Sequence, residues 1–383
     1  MRRTAFVVGL ALVLIASPAR AQTDPLDTEE PPVPGPMATL RQAAEEPDAG
    51  DGRVGLAPVN LVDESGRPLS KEERERALRR HAEKLAEFNN TVYVIKRAEE
   101  TGEPVPSVTI AGGGGDADIR EVGFQAAIRY ASSVKRSQFK GVDLSRMPDW
   151  EWKHICGAVL IEPDWLLTAA HCARASQFKL GLEAVMGTAD ISSKTGVTAR
   201  IDRIVRHARY DQNSAMYDAD IALMHLDFRG RRSSSLTKPV GIARPDPRKQ
   251  TSAAATGWGK IFDRRGLAVS LLQKVQLKLV EPETCRSLPG YGPTKVHARV
   301  VCARGYAVKT CDGDSGGPLW VRPDFRSGPQ LVGLVSWNKG DCAPNLADKP
   351  GVYTNVSAYQ GWIANAKRMA IAKGPNSFSL LGD

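Results

Sequence analysis

The chain has 383 residues, of which 42% are hydrophobic and 25% are charged, and its formal net charge is +9. It is too hydrophobic for a disordered chain, and at ~100–200 residues per domain its length predicts two units, or one large β-rich unit with an extension. The 35 glycines and 25 prolines favour many turns over long helices and argue against a helical bundle.

Charge is distributed unevenly along the chain. Residues 22–109 carry 11 Lys plus Arg and 18 Asp plus Glu, a net charge of −7, whereas residues 110–383 carry 38 and 25, a net charge of +13. A basic domain can bind nucleic acid or a membrane surface, but no Lys/Arg-rich recognition helix or aromatic-interleaved basic strand accompanies this charge. We therefore expect no nucleic-acid partner, and we interpret the acidic leader as an intramolecular inhibitor that docks on its own basic domain.

Residues 1–21 have the pattern of a secretory signal peptide. Met1-Arg2-Arg3 is a charged start, residues 5–16 are apolar, and Ala19-Arg20-Ala21 fits the small-x-small cleavage pattern. Cleavage before Gln22 and a secreted or periplasmic location are therefore expected. A retained membrane anchor is the alternative, but the apolar run is only about half of the ~20 residues that a spanning helix needs.

Residues 22–109 are expected to form an acidic pro-segment. Residues 22–57 are rich in Pro and Gly, which is typical of a flexible tether. Next, Ser70-Lys71-Glu72-Glu73 is a capping box that predicts a charged helix over about 71–88. This helix is too polar to fold alone, so it should lie on another part of the chain. Its apolar stripe consists of Leu78, His81, Leu85 and Phe88.

From Val108 onward, short β-prone runs separated by turns replace the helical pattern. They predict an all-β barrel or sandwich, and one later helix is predicted at Val356–Ala372 with Trp362 and Ile363 on its apolar face. The β-prone runs are FQAAIRY, GAVLI, WLLTAAH, ARIDRIVRH, DIALMHL, SAAATGWG, KVQLKLV, LVGLVSW and GVYTNV.

Three motifs in this β-rich part carry residues suited to catalysis. LTAAHC puts His171 at the end of an apolar strand, DIAL puts Asp220 at the mouth of another strand, and CDGDSGGP puts Ser315 in a Gly-rich turn. A serine hydroxyl needs a base to take its proton, and the base needs a third group to fix its tautomer. Each motif alone also fits a core histidine, a strand entry or a simple turn. Together, in this order, they indicate a nucleophilic serine.

With these motifs the chain resembles the trypsin-like serine proteases of the chymotrypsin fold, as an exported precursor of bacterial type. Further motifs of the family are TGWG at Thr256–Gly259, VSW at Val335–Trp337 and PGVYTNV from Pro350, and the resemblance spans about residues 110–372. It implies a protease domain over residues 110–383, made of two six-stranded antiparallel β-barrels with the active site between them and a C-terminal helix.

The resemblance also implies a role for each site residue. His171 would be the general base, Asp220 its orienting carboxylate and Ser315 the nucleophile, while the amides of Gly313 and Ser315 would form the oxyanion hole. Ser336 would support Asp220, and the backbone beside it would pair with a protein or peptide substrate as an added strand. The mechanism requires no metal or organic cofactor.

All six cysteines lie between Cys156 and Cys342. Since an exported chain meets an oxidising compartment, an even set of cysteines predicts disulfides. A cysteine nucleophile or a zinc site would need free thiols and is not expected. The family pattern pairs Cys156 with Cys172, Cys285 with Cys302, and Cys311 with Cys342.

Two segments depart from the family pattern. Residues 131–153, which are basic and contain two tryptophans, are expected to be an inserted surface loop near the cleft. Ile110-Ala111-Gly112-Gly113 resembles the N-terminus that activation cleavage creates, although Thr109 rather than Arg or Lys precedes it. The implied zymogen would become active when the new amine of Ile110 pairs with Asp314.

The substrate pocket departs most sharply from the family. Lys309 stands where trypsin has an aspartate at the base of the primary specificity pocket, so a preference for Arg or Lys should be lost. Asn338 replaces a glycine and would narrow the pocket, whereas Gly351 keeps the opposite wall clear. Either Lys309 pairs with an acidic substrate residue, or it pairs internally with Asp312 or Asp341 and leaves a shallow pocket for small or polar residues. The substrate-binding set is Lys309, Ser336, Trp337, Asn338 and Gly351.

Two functions are compatible with the sequence. The first is an active exported serine endopeptidase made as a zymogen. The second is a catalytically silent homologue that binds a partner, because a fold does not fix a function. The complete triad and the glycines of the serine turn favour the first function.

Overall fold

The computed structural model describes eight segments of the chain. They are residues 115–211, 218–230, 234–243, 252–260, 269–305, 310–323, 327–339 and 349–383. The expected signal peptide and the pro-segment with its helix lie outside the described residues, and so do three predicted site residues, Ile110, Lys309 and Cys342.

Two β-sheets, of eight and seven strands, make up most of the described fold. The strands are β1 (Gly115–Asp116), β2 (Gln125–Tyr130), β3 (His154–Glu162), β4 (Trp165–Thr168), β5 (Leu182–Met186), β6 (Val197–His207), β7 (Ala222–Asp227), β8 (Gly241–Ile242), β9 (Ser252–Gly257), β10 (Gln273–Val280), β11 (Val300–Arg304), β12 (Pro318–Val321), β13 (Gln330–Trp337), β14 (Gly351–Asn355) and β15 (Ser377–Leu381).

The described helices are short except for the last one. Proline at the start of two of them supplies a backbone angle suited to a helix at a position where no N–H is needed. The helices are α1 (Asp149–Lys153), α2 (Ala175–Leu180), α3 (Pro282–Ser287), α4 (Gly292–Lys295) and α5 (Gln360–Lys373), with 3₁₀ turns at Arg136–Gln138, Ala170–Cys172 and Val356–Tyr359.

Strands β2 to β7 form the first barrel. They are hydrogen-bonded in the order β6-β5-β2-β3-β4-β7, and pairing between β6 and β7 closes the ring. Strand β4 is buried throughout, and β2 is buried except for Arg129. These apolar runs therefore hold the barrel together by excluding water from its interior.

Strands β9 to β14 form the second barrel. Their order is β9-β10-β11-β14-β13-β12, and pairing between β12 and β9 closes it. Each of the remaining strands adds to one barrel strand: β1 to β10, β8 to β13 and β15 to β6, the last two in parallel. The predicted pair of six-stranded antiparallel barrels is confirmed.

Helix α5 confirms the predicted C-terminal helix. It follows a 3₁₀ turn and packs on β6 and β7 of the first barrel. Its buried face, at helical spacing, consists of Trp362, Ile363, Ala366 and Ala370.

Two disulfides bind neighbouring segments together. Cys156 on β3 is bonded to Cys172 in the turn after β4, and Cys285 on α3 is bonded to Cys302 on β11. Their sequence separations are 16 and 17 residues, and each bond stabilises the fold by roughly 3 kcal/mol in the chain-entropy model. Cys311 is also disulfide-bonded, and its partner lies outside the described residues.

The insertion at residues 131–153 is folded onto the first barrel. Trp152 is only 1% exposed and packs against Tyr130 and Phe139, with ring centroids 6.4 Å and 5.6 Å away. The guanidinium of Arg136 donates to three main-chain carbonyls within the insertion. The expected surface loop thus has a buried aromatic core of its own.

Candidate active site

His171 lies where the first barrel faces the second. It occupies the 3₁₀ turn that follows the buried strand β4, and the Cys156–Cys172 disulfide fixes the next residue to β3. Its side chain is 25% exposed. The imidazole is therefore held by covalent and strand contacts on one side and remains accessible on the other.

Asp220 is the buried partner of this histidine. Its Oδ1 accepts the main-chain N–H of His171 at 3.0 Å, and its Oδ2 lies 2.9 Å from Nδ1 of the same residue. Ser336 donates its hydroxyl to Oδ2 at 2.5 Å, and Thr354 donates its own to the main-chain oxygen of Asp220 at 2.7 Å. Because a carboxylate only accepts, the imidazole proton belongs on Nδ1 and Nε2 is left with a lone pair.

The electrostatics of Asp220 favour its charged form. Burial acts to raise its pKa, but the neighbouring charge of His171 and hydrogen bonds from His171 and Ser336 more than offset that effect, so the pKa lies below its ordinary value. A permanent anion therefore faces the imidazole and would stabilise the imidazolium formed on proton uptake.

Ser315 lies in a turn that packs directly against the first barrel. The amide of Gly157 on β3 donates to the carbonyl of Ser315 at 2.8 Å, and the amide of Gly316 donates to Val335 on β13 at 2.8 Å. A Cβ atom on Gly316 would lie 2.1 Å from the Thr168 hydroxyl oxygen, so only glycine permits this approach. Since Gly157 follows Cys156, the contacts that place Ser315 are adjacent to the disulfide that places His171.

The same turn presents main-chain donors. Gly313 has a φ of +94°, a conformation that glycine adopts without steric cost. In the segments that the structure describes, the amides of Gly313 and Ser315 donate to no carbonyl. Two N–H groups beside one hydroxyl form an arrangement that can hold a developing oxyanion.

His154, which sequence reasoning missed, supports this turn from the first barrel. Its Nε2 lies 3.0 Å from the carbonyl oxygen of Gly313. Burial lowers the pKa of His154 to about 4, so the ring is neutral at pH 7 and donates from Nε2. The only sequence signal was a histidine two residues before Cys156 on an apolar strand, which a core histidine fits equally well.

Asp314 accepts hydrogen bonds from two main-chain amides. Its Oδ1 accepts the amide of Gly259 and its Oδ2 accepts the amide of Cys311, both at 2.8 Å. Burial raises the pKa of Asp314 to about 6, even though both amide hydrogen bonds act to lower it. Two amides therefore compensate only part of the cost of removing this charge from water.

Four of the five predicted substrate-binding residues lie within the described ranges, and Lys309 does not. The side-chain amide of Asn338 donates to the carbonyl of Thr310 at 2.9 Å. A Cβ atom on Gly351 would lie 2.8 Å from Asn338 Oδ1, so Asn338 already occupies the space beside that glycine. The hydroxyls of Thr310 and Tyr353 lie 3.4 Å apart, and both residues are buried.

Trp337, another predicted substrate-binding residue, is the last residue of β13. Its ring lies 5.6 Å from the ring of Tyr291, tilted by 31°. The hydroxyl of Tyr291 donates to the carbonyl of Pro350 at 2.7 Å. The tryptophan ring thus packs on a tyrosine that is itself fixed by a hydrogen bond.

Within the described ranges, one group of residues has the spacing of a metal site. It consists of Cys156, His171 and Cys172. The two sulfur atoms are joined in a disulfide, so neither offers a thiolate, and the group does not form a zinc centre.

None of the helices in the described ranges combines the length and the apolar character needed to cross a bilayer.

The trypsin family model matches residues 111–363 of this chain. Among solved structures, the chain is similar to neuropsin, a serine protease expressed in the limbic system of mouse brain. That likeness has a TM-score of 0.51 and 25% sequence identity, and it covers 66% of this chain and 98% of the neuropsin chain.

Curated relatives show the same similarity. The chain is 35% identical over 237 residues to transmembrane protease serine 9 of Rattus norvegicus, covering 58% of this chain and 21% of the relative. It is 33% identical over 255 residues to suppressor of tumorigenicity 14 protein homolog of Bos taurus, covering 61% and 28%. It is 33% identical over 219 residues to hypodermin-B of Hypoderma lineatum, covering 56% and 78%. The chain thus spans less than a third of the first two relatives, and because these relatives are animal proteins they do not support the expected bacterial type.

Proposed function

Because the chain belongs to the trypsin family of serine proteases, we propose that it hydrolyses peptide bonds as a serine endopeptidase. Ser315 attacks the peptide carbonyl while His171 takes its proton, and Asp220 stabilises the resulting imidazolium, as in the established mechanism of this family. The amides of Gly313 and Ser315 hold the oxyanion. His171 then protonates the leaving amine, and water repeats the cycle on the acyl-enzyme.

The observation that carries this proposal is the double contact between His171 and Asp220. The main-chain N–H and Nδ1 of the histidine bind different oxygens of one buried carboxylate. This arrangement fixes both the tautomer and the orientation of the ring, which are the two properties that a general base for Ser315 needs.

A fluorophosphonate serine probe tests the proposal. The purified chain should be labelled on Ser315, and labelling should disappear in Ser315→Ala and fall strongly in Asp220→Asn, in which the tautomer is no longer fixed. Ser357→Ala is a matched control, since Ser357 lies in the 3₁₀ turn before α5 and donates its hydroxyl to Asn355. An unlabelled wild-type chain would favour the alternative, a catalytically silent homologue that acts as a binding module.

We further propose that the protein is exported, secreted or periplasmic, and made as a zymogen with an inhibitory pro-segment over residues 22–109. The opposite charges of the pro-segment and the protease domain support docking between them. The partly compensated carboxylate of Asp314 supports a role for the amine of Ile110, since an ammonium beside it would favour its charged form. N-terminal sequencing of the active form tests this: a fully active chain that starts at Gln22 would refute it.

The proposed specificity excludes Arg and Lys before the scissile bond. Asn338 narrows the pocket, and Lys309 at its base would repel a substrate cation. The two alternatives for the preferred residue are an acidic side chain that pairs with Lys309 and a small or polar one. A cleavage profile against a diverse peptide library distinguishes them.

A further inference from the structure

The chain continues beyond the family match as a tail that docks on the first barrel. Residues 374–383, called the tail here, follow α5 and lie outside the matched residues 111–363. Strand β15 of the tail pairs in parallel with β6, with Ser377 opposite Arg203 and Leu381 opposite His207. The tail thus covers the end of β6 that leads towards the loop of Asp220.

Leu381 anchors the end of this strand. Its carbonyl oxygen accepts the amide of Ala208 and the indole N–H of Trp362 on α5, both at 2.9 Å. One carbonyl therefore joins the tail to both β6 and the helix, and it fixes where the next residues lie.

Asp383 binds two residues at the end of β6. Its Oδ1 lies 3.1 Å from Nε2 of His207, and its Oδ2 accepts from the guanidinium of Arg209. His207 is fully buried and stacks on Trp362 at 5.2 Å. Because Nδ1 of His207 accepts the amide of Arg209 at 3.3 Å, the neutral ring carries its proton on Nε2 and donates it to Asp383.

Arg209 binds Asp218 as well as Asp383. Its other terminal nitrogen donates to Oδ2 of Asp218 at 2.7 Å. Arg299, from the second barrel, donates to both oxygens of Asp218, to Oδ2 at 2.8 Å and to Oδ1 at 3.1 Å, and lies 3.8 Å from Asp383. Nε2 of His297 lies 3.5 Å from Oδ1 of Asp218. Two acidic and two guanidinium groups therefore form one network at the junction of the tail and both barrels.

This network borders the catalytic carboxylate. Between Asp218 and Asp220 stands Ala219, a buried residue with a φ of +57°, which is a strained conformation for a residue with a side chain. On the other side, the amide of His207 donates to the carbonyl of Ile221 at 3.1 Å. The strained turn that carries Asp220 is thus held at both ends by residues that the tail contacts.

We propose that the tail is a positioning element for Asp220, and that Asp383 is the positioning residue through which it acts. Asp383 orients His207 and Arg209, which hold Ile221 and Asp218 and so keep the strained turn in the geometry that places Asp220 under His171. The proposal rests on the proposed function in so far as Asp220 orients a catalytic base. The tail itself touches no reacting atom.

The test compares Asp383→Asn and Asp383→Ala with wild type, with Ser377→Ala as a matched control. Ser377 belongs to the same tail, but its hydroxyl donates to the carbonyl of Gly374 within the tail. Both Asp383 variants should lower kcat about five- to tenfold with KM within about twofold, since binding groups are untouched. Asp383→Glu should restore part of the loss. Adding Asp383→Asn to Asp218→Asn should cause little further loss, because both changes interrupt the same network.

Two readouts do not depend on peptidase activity. The low-field proton resonance of His171 Nδ1–H should shift or broaden in Asp383→Asn, and amide exchange at residues 219–221 should accelerate about tenfold. If wild type neither reacts with the serine probe nor cleaves peptides, the proposed function fails, and these readouts alone decide whether the tail positions Asp220. If Tm falls while kcat, the resonance and the exchange rates stay at wild-type values, the tail only stabilises the fold and the proposal is overturned.

Discussion

Ser336 and His171 bind the same carboxylate oxygen from opposite barrels: the serine hydroxyl lies 2.5 Å and the imidazole Nδ1 lies 2.9 Å from Oδ2 of Asp220. Ser336 belongs to β13 of the second barrel, whereas Asp220 lies two residues before β7 of the first. The orientation of this carboxylate therefore depends on how the barrels dock.

Ser336→Ala should lower kcat about tenfold with little change in KM. A hydrogen bond to a buried charged group contributes about 1.5–3 kcal/mol, and part of that is lost from the orientation of Asp220. Steady-state kinetics on a peptide substrate measure the change. Thr256→Val is the matched control, because Thr256 also donates a buried hydroxyl, to Gln125, but does not touch Asp220. Equal losses in both variants would show that the effect is merely structural.

Ser315→Ala, His171→Ala and the double variant should fall to similar residual rates. The serine and histidine act as one proton-transfer unit, so losing either member removes the contribution of both. Rates measured with purified protein, alongside circular dichroism to confirm folding, give the comparison. Full peptidase activity in Ser315→Ala would contradict the mechanism.

His154→Ala should reduce kcat through the oxyanion turn. Without the Nε2–H donor, the carbonyl of Gly313 loses its buried partner, at a cost of about 1–3 kcal/mol. We expect a drop in kcat of about tenfold or more at pH 7, measured on the same substrate. His154→Gln, which retains a side-chain N–H donor, should recover part of the rate, and a failure to recover any would argue against this hydrogen bond as the cause.

Asp314 should make the stability of the uncleaved chain depend on pH. Its pKa is raised to about 6 from 3.8, so the folded state holds a proton that the unfolded state releases. Its stabilising contribution is thus present below about pH 4 and is lost as pH rises through about 6, by at most about 3 kcal/mol. Urea unfolding between pH 4 and 8, in a Ser315→Ala background that prevents self-cleavage, should show this slope, and Asp314→Asn should remove it. A chain released to begin at Ile110 should also lack the slope, because its ammonium would hold the carboxylate charged.

The motifs led from sequence to fold because barrel strands have a strong local signature. Buried runs such as Trp165–Thr168 predict strands by themselves, and together they indicated an all-β barrel or sandwich. The pair of six-stranded barrels was predicted from the family resemblance. Strand β15 was not predicted, since SFSLL is a short run after a helix and its partner β6 lies about 170 residues earlier in the chain. Long-range pairing of this kind leaves no periodic signal in one sequence.

The same contrast between local motifs and long-range contacts separates the site residues that the sequence identified from those that it missed. His171, Asp220 and Ser315 stand in contiguous motifs whose residue types and order indicated a nucleophilic serine, and the role of each was predicted from the family resemblance. The groups that support them come from distant elements: Thr354 from β14, and Asp383 from the tail. Their roles depend on tertiary contacts that hydrophobic pattern and turn chemistry do not encode.

Asn338→Gly should widen the specificity pocket. The asparagine side chain donates to the carbonyl of Thr310 and fills the space beside Gly351, so its removal from the proposed pocket opens room for a large side chain. We expect kcat/KM for substrates with Phe or Tyr before the scissile bond to rise at least about tenfold relative to that for substrates with Ala there, since filling an apolar pocket contributes about 1–3 kcal/mol.

Lys309→Asp, in contrast, should shift the preference towards Arg and Lys without changing the size of side chain that the pocket accepts, because it alters charge rather than shape. The two variants together separate shape from charge in a peptide-library profile. If the wild-type protein already cleaves best after Arg or Lys, then Lys309 does not lie at the base of the pocket.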